Sequence, residues 1–236
     1  MIFLTSISPN HVNNGQQLKA VESWLKFGEV YSFNSKQESD KLKDQYTKVK
    51  FIETARTLEH IYGKPYVMIN AVLDWCKKST ETNFCLINSD IEIKTDPSTI
   101  EKVSVEMQNA LILSNRVNHN GDYRGSQYLS GIDAFFIHKQ FMGIYNQSMH
   151  CFGQCFWDYW IPFRAIKSGV TVKFIKQDFS FHLDHPAQYN SDMWKKSGRY
   201  FLWENDLYQF CDTTGIGMMS RFVYNFIYNA SQRVEI

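Results

Sequence analysis

Apolar positions in the first half of the chain switch between two spacings. Ile2-Phe3-Leu4-Thr5-Ser6-Ile7 is a short apolar run with β-branched members that ends in Ser8-Pro9-Asn10, which reads as a buried strand. Leu18, Val21 and Leu25, with Trp24 alongside, follow at the i, i+3, i+7 spacing of one buried helical face, and Gly28 marks the stop. Glu29–Asn34 and Val49–Ile52 predict a second and a third strand. Pro65 predicts the start of a helix whose core face carries Ile69, Val72, Leu73 and Cys76. Phe84-Cys85-Leu86-Ile87 is wholly apolar and breaks off at Asn88-Ser89-Asp90. Asp96-Pro97 then supplies an N-cap and a first-position proline for a helix leading into Leu111–Ser114.

Strands separated by helices of this length predict an α/β fold with a mainly parallel central sheet covered on both faces. The second half is less regular. Ala134–Ile137, Val170–Ile175 and Phe179–Leu183 read as strands, and the chain beyond Pro186 is helix-prone and aromatic, with Trp194, Tyr200, Phe201, Trp203, Phe222, Tyr224, Phe226 and Tyr228. No repeat, low-complexity tract or linker divides residues 1–236, so one domain is expected.

Composition changes this picture mainly by exclusion. The 25 basic and 24 acidic residues leave a formal net charge of +1, unlike the basic stripe of a nucleic-acid binder. No stretch is long and apolar enough to span a bilayer. The start, Met1-Ile2-Phe3-Leu4-Thr5, lacks the basic and apolar regions of a secretion signal. Cys76, Cys85, Cys151, Cys155 and Cys211 are odd in number and fall mostly inside apolar patterns, which suits a reducing compartment and a cytoplasmic protein. Cys151 and Cys155 have no second pair at zinc-finger spacing. The absence of a Gly-x-Gly-x-x-Gly or Walker loop argues against dinucleotide oxidoreductases and P-loop enzymes.

Parallel sheets bind ligands beyond the carboxyl ends of their strands, which directs attention to Thr5-Ser6, Asn34 and Asn88-Ser89-Asp90. An acidic element after a buried strand offers a carboxylate where Mg²⁺ or Mn²⁺ and a diphosphate could meet; the same residues also suit a strand-ending turn. His182 and His185 flank Asp184 at the end of a predicted strand and are competent Mn²⁺ ligands, or packing residues. Asp158, between Trp157 and Trp160, reads either as the N-cap of a helix reaching Lys167 or as a general base with aromatic walls. Asp133, in Gly131-Ile132-Asp133, is a second candidate for orienting a hydroxyl. Arg56 and Lys64, in the loop before the helix expected at Pro65, are cations for a diphosphate or solvated charges.

From Phe3 to about Trp194 this constellation resembles the GT-A nucleotide-sugar transferases. Thr5-Ser6 and Asn34 look like that family's nucleotide-cradling positions. Gly63–Val72 is similar to the helix placed before its metal motif, with Lys64 as the basic residue and Asn70 inside the helix. Asn88-Ser89-Asp90 falls at the Asp-x-Asp motif, with Asn88 in place of the first Asp. The resemblance implies that Asp90, with His182 or His185, holds the metal, and that Asn88 contacts ribose or metal. It implies Asp158 as the base of an inverting transfer from a UDP-sugar to a hydroxyl of a glycan or other acceptor. Residues 1–115 would form the nucleotide-sugar-binding half, and 116–236 the acceptor-binding half with its aromatic helices. Two rivals remain: a non-catalytic glycan- or nucleotide-binding protein on the same fold, and a sugar-phosphate nucleotidyltransferase. The second usually has a Gly-rich basic loop after the first strand, whereas Ser8–Gly15 holds one Gly and no Lys or Arg.

Overall fold

The computed structural model describes residues 1–185, 191–207 and 216–236; Pro186 and Cys211 lie outside them. The chain runs β1 (Ile2–Thr5), α1 (Asn14–Trp24), β2 (Glu29–Asn34), α2 (Lys36–Leu42), β3 (Lys50–Glu53), α3 (Glu59–Tyr62), α4 (Ile69–Lys78), β4 (Asn83–Ile87), β5 (Ile91–Ile93) and α5 (Pro97–Glu106). It continues with β6 (Leu111–His119), β7 (Gly125–His138), a 3-10 turn at Lys139–Ile144, α6 (Trp157–Lys167), β8 (Val172–Ile175), β9 (Ser180–Leu183), α7 (Ser191–Glu204), α8 (Ile216–Ala230) and β10 (Gln232–Val234).

One continuous sheet runs in the order β10-β8-β6-β7-β4-β1-β2-β3. The pairs β1/β2, β1/β4, β2/β3, β6/β8 and β10/β8 are parallel, whereas β7 runs antiparallel to both β4 and β6. Strand alternation sends residues to two cores. Phe3, Cys85, Ile112 and Phe136 pack with Ala20, Val21 and Trp24 of α1 and Ile100 and Val103 of α5. Leu4, Leu86, Leu113 and Phe135 pack on the other face with α4, α6, α7 and α8. The expected α/β architecture, with helices on both faces and an aromatic helical C-terminal region, is the one the chain adopts.

Local chemistry explains most boundaries. Asp96 caps α5 by accepting from the Thr99 N–H at 3.1 Å, with Pro97 at the first position. Ile69, Val72, Leu73 and Cys76 are all fully buried, as their spacing predicts. That helix begins at Ile69, however, and not at Pro65. Val67 bridges to Thr57, Met68 bridges to Cys151, and the Ile69 N–H reaches the His150 carbonyl at 2.9 Å. Tertiary pairing thus holds Val67–Met68 extended and delays the helix. Trp24 anchors α1, its Nε1–H donating to the Ile91 carbonyl at 2.8 Å. Gly28 lies after that helix for a steric reason: a Cβ there would sit 1.9 Å from the Met1 carbonyl oxygen.

Near the functional edge β6 and β7 leave the main sheet. Register shifts at Ser114/Asn115 and Asn115/Arg116 kink β6. Bulges of this kind re-aim side chains, and the Asn115 Nδ2 holds this one by donating to the Leu129 and Gly131 carbonyls. Beyond the kink Arg116–His119 pairs with β9, and β9 pairs antiparallel with β5. The register sets His182 opposite Ile91, one residue from Asp90.

Candidate active site at the carboxyl edge of the sheet

Asp90 lies in the short turn between β4 and β5, at the carboxyl edge of β4. Three imidazoles meet one of its oxygens. His11 Nε2 lies 3.2 Å from Asp90 Oδ2, His185 Nε2 3.3 Å and His182 Nε2 3.4 Å. The carboxylate is 15% exposed. Burial opposes its charge, but the three histidines outweigh that and hold its pKa well below the usual carboxylate range. His11 comes from the loop between β1 and α1, His182 from β9 and His185 from just beyond β9.

The first turn of α1 supports this edge. Gln17 Oε1 accepts from Ser89 Oγ at 2.7 Å and from the Ser8 N–H at 3.0 Å, while its Nε2 donates to the Ser8 carbonyl at 2.8 Å. Gln16 Nε2 donates to the buried Glu92 carboxylate at 2.9 Å and reaches the Asp90 carbonyl at 3.4 Å. Ser89 is therefore tied to the loop that follows β1.

Asn88 faces the other way. Its Nδ2 donates to Asp133 Oδ1 at 2.6 Å, and its N–H donates to the Asp133 carbonyl at 3.2 Å. Asp133 is 4% exposed and pairs with Arg116, whose Nη1 is 3.2 Å from Oδ2. The guanidinium also packs 4.9 Å from the Tyr128 ring centroid. Burial disfavours its charge, and the carboxylates of Asp133 and Asp90 more than offset this, raising its pKa. Gly131 is needed because a Cβ there would come within 2.7 Å of Tyr128 Cδ1 and 3.2 Å of both Arg116 Nε and Asp133 Oδ2.

Asp158 sits in the first turn of α6. The cap itself is Phe156, in a left-handed conformation at φ 71°, so the expectation of Asp158 as N-cap is corrected. The Asp158 Oδ1 accepts from the Tyr159 N–H at 3.1 Å. Burial pushes its pKa up to about 7, with the Asp133 charge adding to the rise and Arg116 pulling back. Two carboxylates, Asp90 and Asp158, are thereby moved in opposite directions.

The other expected residues occupy three positions. Thr5, at the end of β1, is fully buried and its hydroxyl has no partner among the described residues; Ser6 follows it, half-buried. Asn34, at the end of β2, accepts from Ser32 Oγ at 2.6 Å and donates to the Ile7 carbonyl at 2.8 Å, which fastens the β1–α1 loop. Arg56 and Asn70 have their contacts elsewhere. Arg56 pairs with Asp74 at 2.7 Å and Gln147 at 3.1 Å. Asn70 accepts from the Ser148 N–H at 2.6 Å and donates to the Asn146 carbonyl at 2.8 Å. Lys64 is exposed on the turn after α3. Sequence reasoning missed His11, Arg116, Gln16 and Gln17. The first had a signal, a histidine in the crevice-facing loop after β1, in a segment weighed only for Gly, Lys and Arg.

The ligand atoms of His11, Asp90 and His185 all lie within 4.8 Å of one another. Mixed imidazole and carboxylate donors suit Mn²⁺ better than Mg²⁺, which prefers oxygen alone. The Cys151 and Cys155 thiols are pushed up to about 12 by burial, which keeps both protonated in the metal-free protein.

No protein-family model and no curated protein sequence matches the chain. Solved structures match by fold. S. aureus TarS 1–349 in complex with UDP-GlcNAc aligns with a TM-score of 0.57 at 11% identity, over 97% of this chain and 71% of that one. The same TarS fragment with UDP gives 0.54 at 10% identity, over 97% and 70%. The longer TarS structure gives 0.53, and the chain spans 42% of its length. The likeness at such identity is one of fold, and the fold is that of the GT-A-type nucleotide-sugar transferases.

Proposed function

We propose that the chain is a glycosyltransferase that moves a sugar from a UDP-sugar to an acceptor hydroxyl with inversion, using Mn²⁺ held at Asp90. The carrying observation is the meeting of His11, His182 and His185 on Asp90 at the carboxyl edge of β4. That edge belongs to a fold which, in TarS, accommodates UDP-GlcNAc. A bound divalent ion would neutralise the charge that develops on a departing diphosphate. Asp90 and a late histidine are the residues to hold it.

The protein's own groups divide the remaining work. Thr5 and Ser6 at the end of β1 and Asn34 at the end of β2 line the nucleotide side, with the unpartnered Thr5 hydroxyl available to a ligand. Ser89 is positioned by Gln17. Asn88 and Asp133 bond to each other, so Asp133 acts by orienting Asn88 and by raising Asp158, not as a base. Arg56 and Asn70 hold residues 146–148 in place, and Lys64 is free to approach the donor phosphates from its turn. Asp158 takes the proton from the acceptor hydroxyl as its oxygen attacks the anomeric carbon. The bond from that carbon to the diphosphate oxygen breaks, releasing UDP. A pKa near 7 lets this carboxylate accept a proton with useful driving force. Residues 1–115 then serve the donor and 116–236 the acceptor. Buried Cys76, Cys85 and Cys151 are free thiols, in keeping with a cytoplasmic enzyme. No helix among the described residues is long and apolar enough to cross a membrane.

Calorimetric titration of UDP with and without Mn²⁺ tests the reading. Binding that requires the metal is expected. Folded protein that binds no UDP in the presence of Mn²⁺ would end it.

A further inference from the structure

The three imidazoles around Asp90 are alike in distance, but the second ring nitrogens of His11 and His182 each constrain where the proton of the ring sits. His11 Nδ1 accepts the Asn13 N–H at 3.1 Å. A nitrogen that accepts carries a lone pair, so the proton of the neutral ring sits on Nε2, the atom 3.2 Å from Asp90 Oδ2. A metal bond through that Nε2 would need the proton moved to Nδ1, where it would point at the Asn13 N–H. Asn13 itself is fixed as the N-cap of α1, its side chain accepting from the Gln16 N–H at 3.2 Å. The loop therefore holds His11 as a donor.

His182 reaches the same result from the opposite circumstance. It is 6% exposed, and its Nδ1 is buried with no partner among the described residues. A ring bound to metal through Nε2 would carry its proton on that Nδ1, leaving a buried donor without an acceptor. Histidine ligands usually donate their second nitrogen to a carbonyl or carboxylate, and an unsatisfied buried donor is costly. With the proton on Nε2, only a lone pair is left unpaired at Nδ1, and Asp90 Oδ2 receives the hydrogen 3.4 Å away.

We infer that the three histidines divide their labour: His11 and His182 are positioning donors to Asp90, and His185 alone supplies the metal's imidazole. The inference rests on the proposed metal site at Asp90. It also gives the β1–α1 loop a task. Through His11 the segment that carries Ser8 and leads to the Asn13 cap is latched to the metal carboxylate, so the donor-facing loop and the metal site move together.

Paired substitutions separate a donor from a ligand. Glutamine keeps an N–H for Asp90 but is a poor Mn²⁺ ligand; aspartate is a good ligand and repels Asp90. Mn²⁺ affinity, read by the loss of free-ion electron paramagnetic resonance, should stay within about 3-fold of wild type in His11→Gln and His182→Gln. It should fall by about 10–100-fold in His11→Asp and His182→Asp, the range typical of lost support around a metal site. His185→Gln should lose Mn²⁺ by at least that much. The reverse pattern, with aspartate tolerated and glutamine not, would make His11 and His182 ligands and overturn the division. Long-range ¹H–¹⁵N correlation spectra supply a reading that does not depend on the metal. Protonated Nε2 at His11 and His182 in the metal-free protein, unchanged on adding Zn²⁺, is expected, and protonated Nδ1 at His11 would refute its donor role. Wild-type protein that binds no Mn²⁺ would remove the metal reading itself, and the division of labour with it.

Discussion

Two acids at the same sheet edge experience opposite surroundings. Asp90, at the end of β4, is met by three imidazoles and the first turn of α1, and its pKa is held well below the usual carboxylate range. Asp158, in the first turn of α6, has backbone N–H groups and a neighbouring Asp133, and its pKa is raised to about 7. Burial alone would push both upward. The difference lies in what else each carboxylate meets: donors around one, apolar surface and a like charge around the other. Two titratable groups driven apart in this way are suited to different work, a permanent anion for a cation and an exchangeable base for a hydroxyl.

The largest effect should follow from removing the permanent anion. Asp90→Ala is expected to abolish Mn²⁺-dependent UDP binding, a loss of more than about 100-fold in calorimetry, because its oxygen is where the histidines converge. Undiminished affinity would dissociate nucleotide binding from this edge. Next in size is the exchangeable base. Asp158→Asn should lower kcat by about 10²–10⁴-fold while sparing UDP affinity. In the wild type, turnover should climb through about pH 7 as Asp158 loses its proton. The same shift has a stability consequence with a definite sign. A carboxyl whose folded pKa lies above its unfolded value favours the fold at low pH, and this advantage disappears as pH rises through about 7. Asp158→Asn should thus unfold at a higher temperature than wild type at pH 8 and at nearly the same temperature at pH 4.

Arg116 connects the two acids, so its removal blurs the contrast between them. Arg116→Leu leaves Asp133 buried without its cation, at a cost of about 2–4 kcal/mol in denaturant unfolding. It also removes a positive charge that restrains Asp158, so the inflection in the pH–rate profile should move above 7. An unmoved inflection would show that Arg116 does not restrain Asp158.

How far each side could be read from sequence follows the same division. The Asp90 side begins with strands buried on both faces, where an unbroken apolar run such as Phe84–Ile87 and its abrupt polar end define both the strand and the acid after it. The bounds read for Glu29–Asn34 match the strand to the residue. α2 was passed over although Ser35 and Glu38 form a capping box, because its seven residues bury only Ser39 and Leu42 and leave no periodic stripe. The outer part of β7, Gly125–Ser130, is polar and mostly exposed; its conformation comes from pairing with β6, which no local pattern reports. Arg116 lies on the partner strand just past the kink, so its meeting with Asp133 was equally hidden. His11 belongs to a loop, where position is set by contacts distant in sequence. The site's acids were readable, and the groups that set their chemistry were brought in by topology.

The smallest expected effect separates binding from stability at one atom on the nucleotide side. The Thr5 hydroxyl is fully buried and has no partner among the described residues, an arrangement that costs stability unless a ligand supplies the missing bond. Thr5→Val keeps the shape and removes the hydroxyl. Unfolding free energy should then be unchanged or rise by up to about 1 kcal/mol, since no bond is lost and an unsatisfied group disappears. UDP affinity should fall by about 3–10-fold, the worth of one hydrogen bond to a ligand. A gain in stability with undiminished UDP affinity would mean that the end of β1 does not touch the nucleotide. Asp90 would then be left as the only tested contact on its side of the edge.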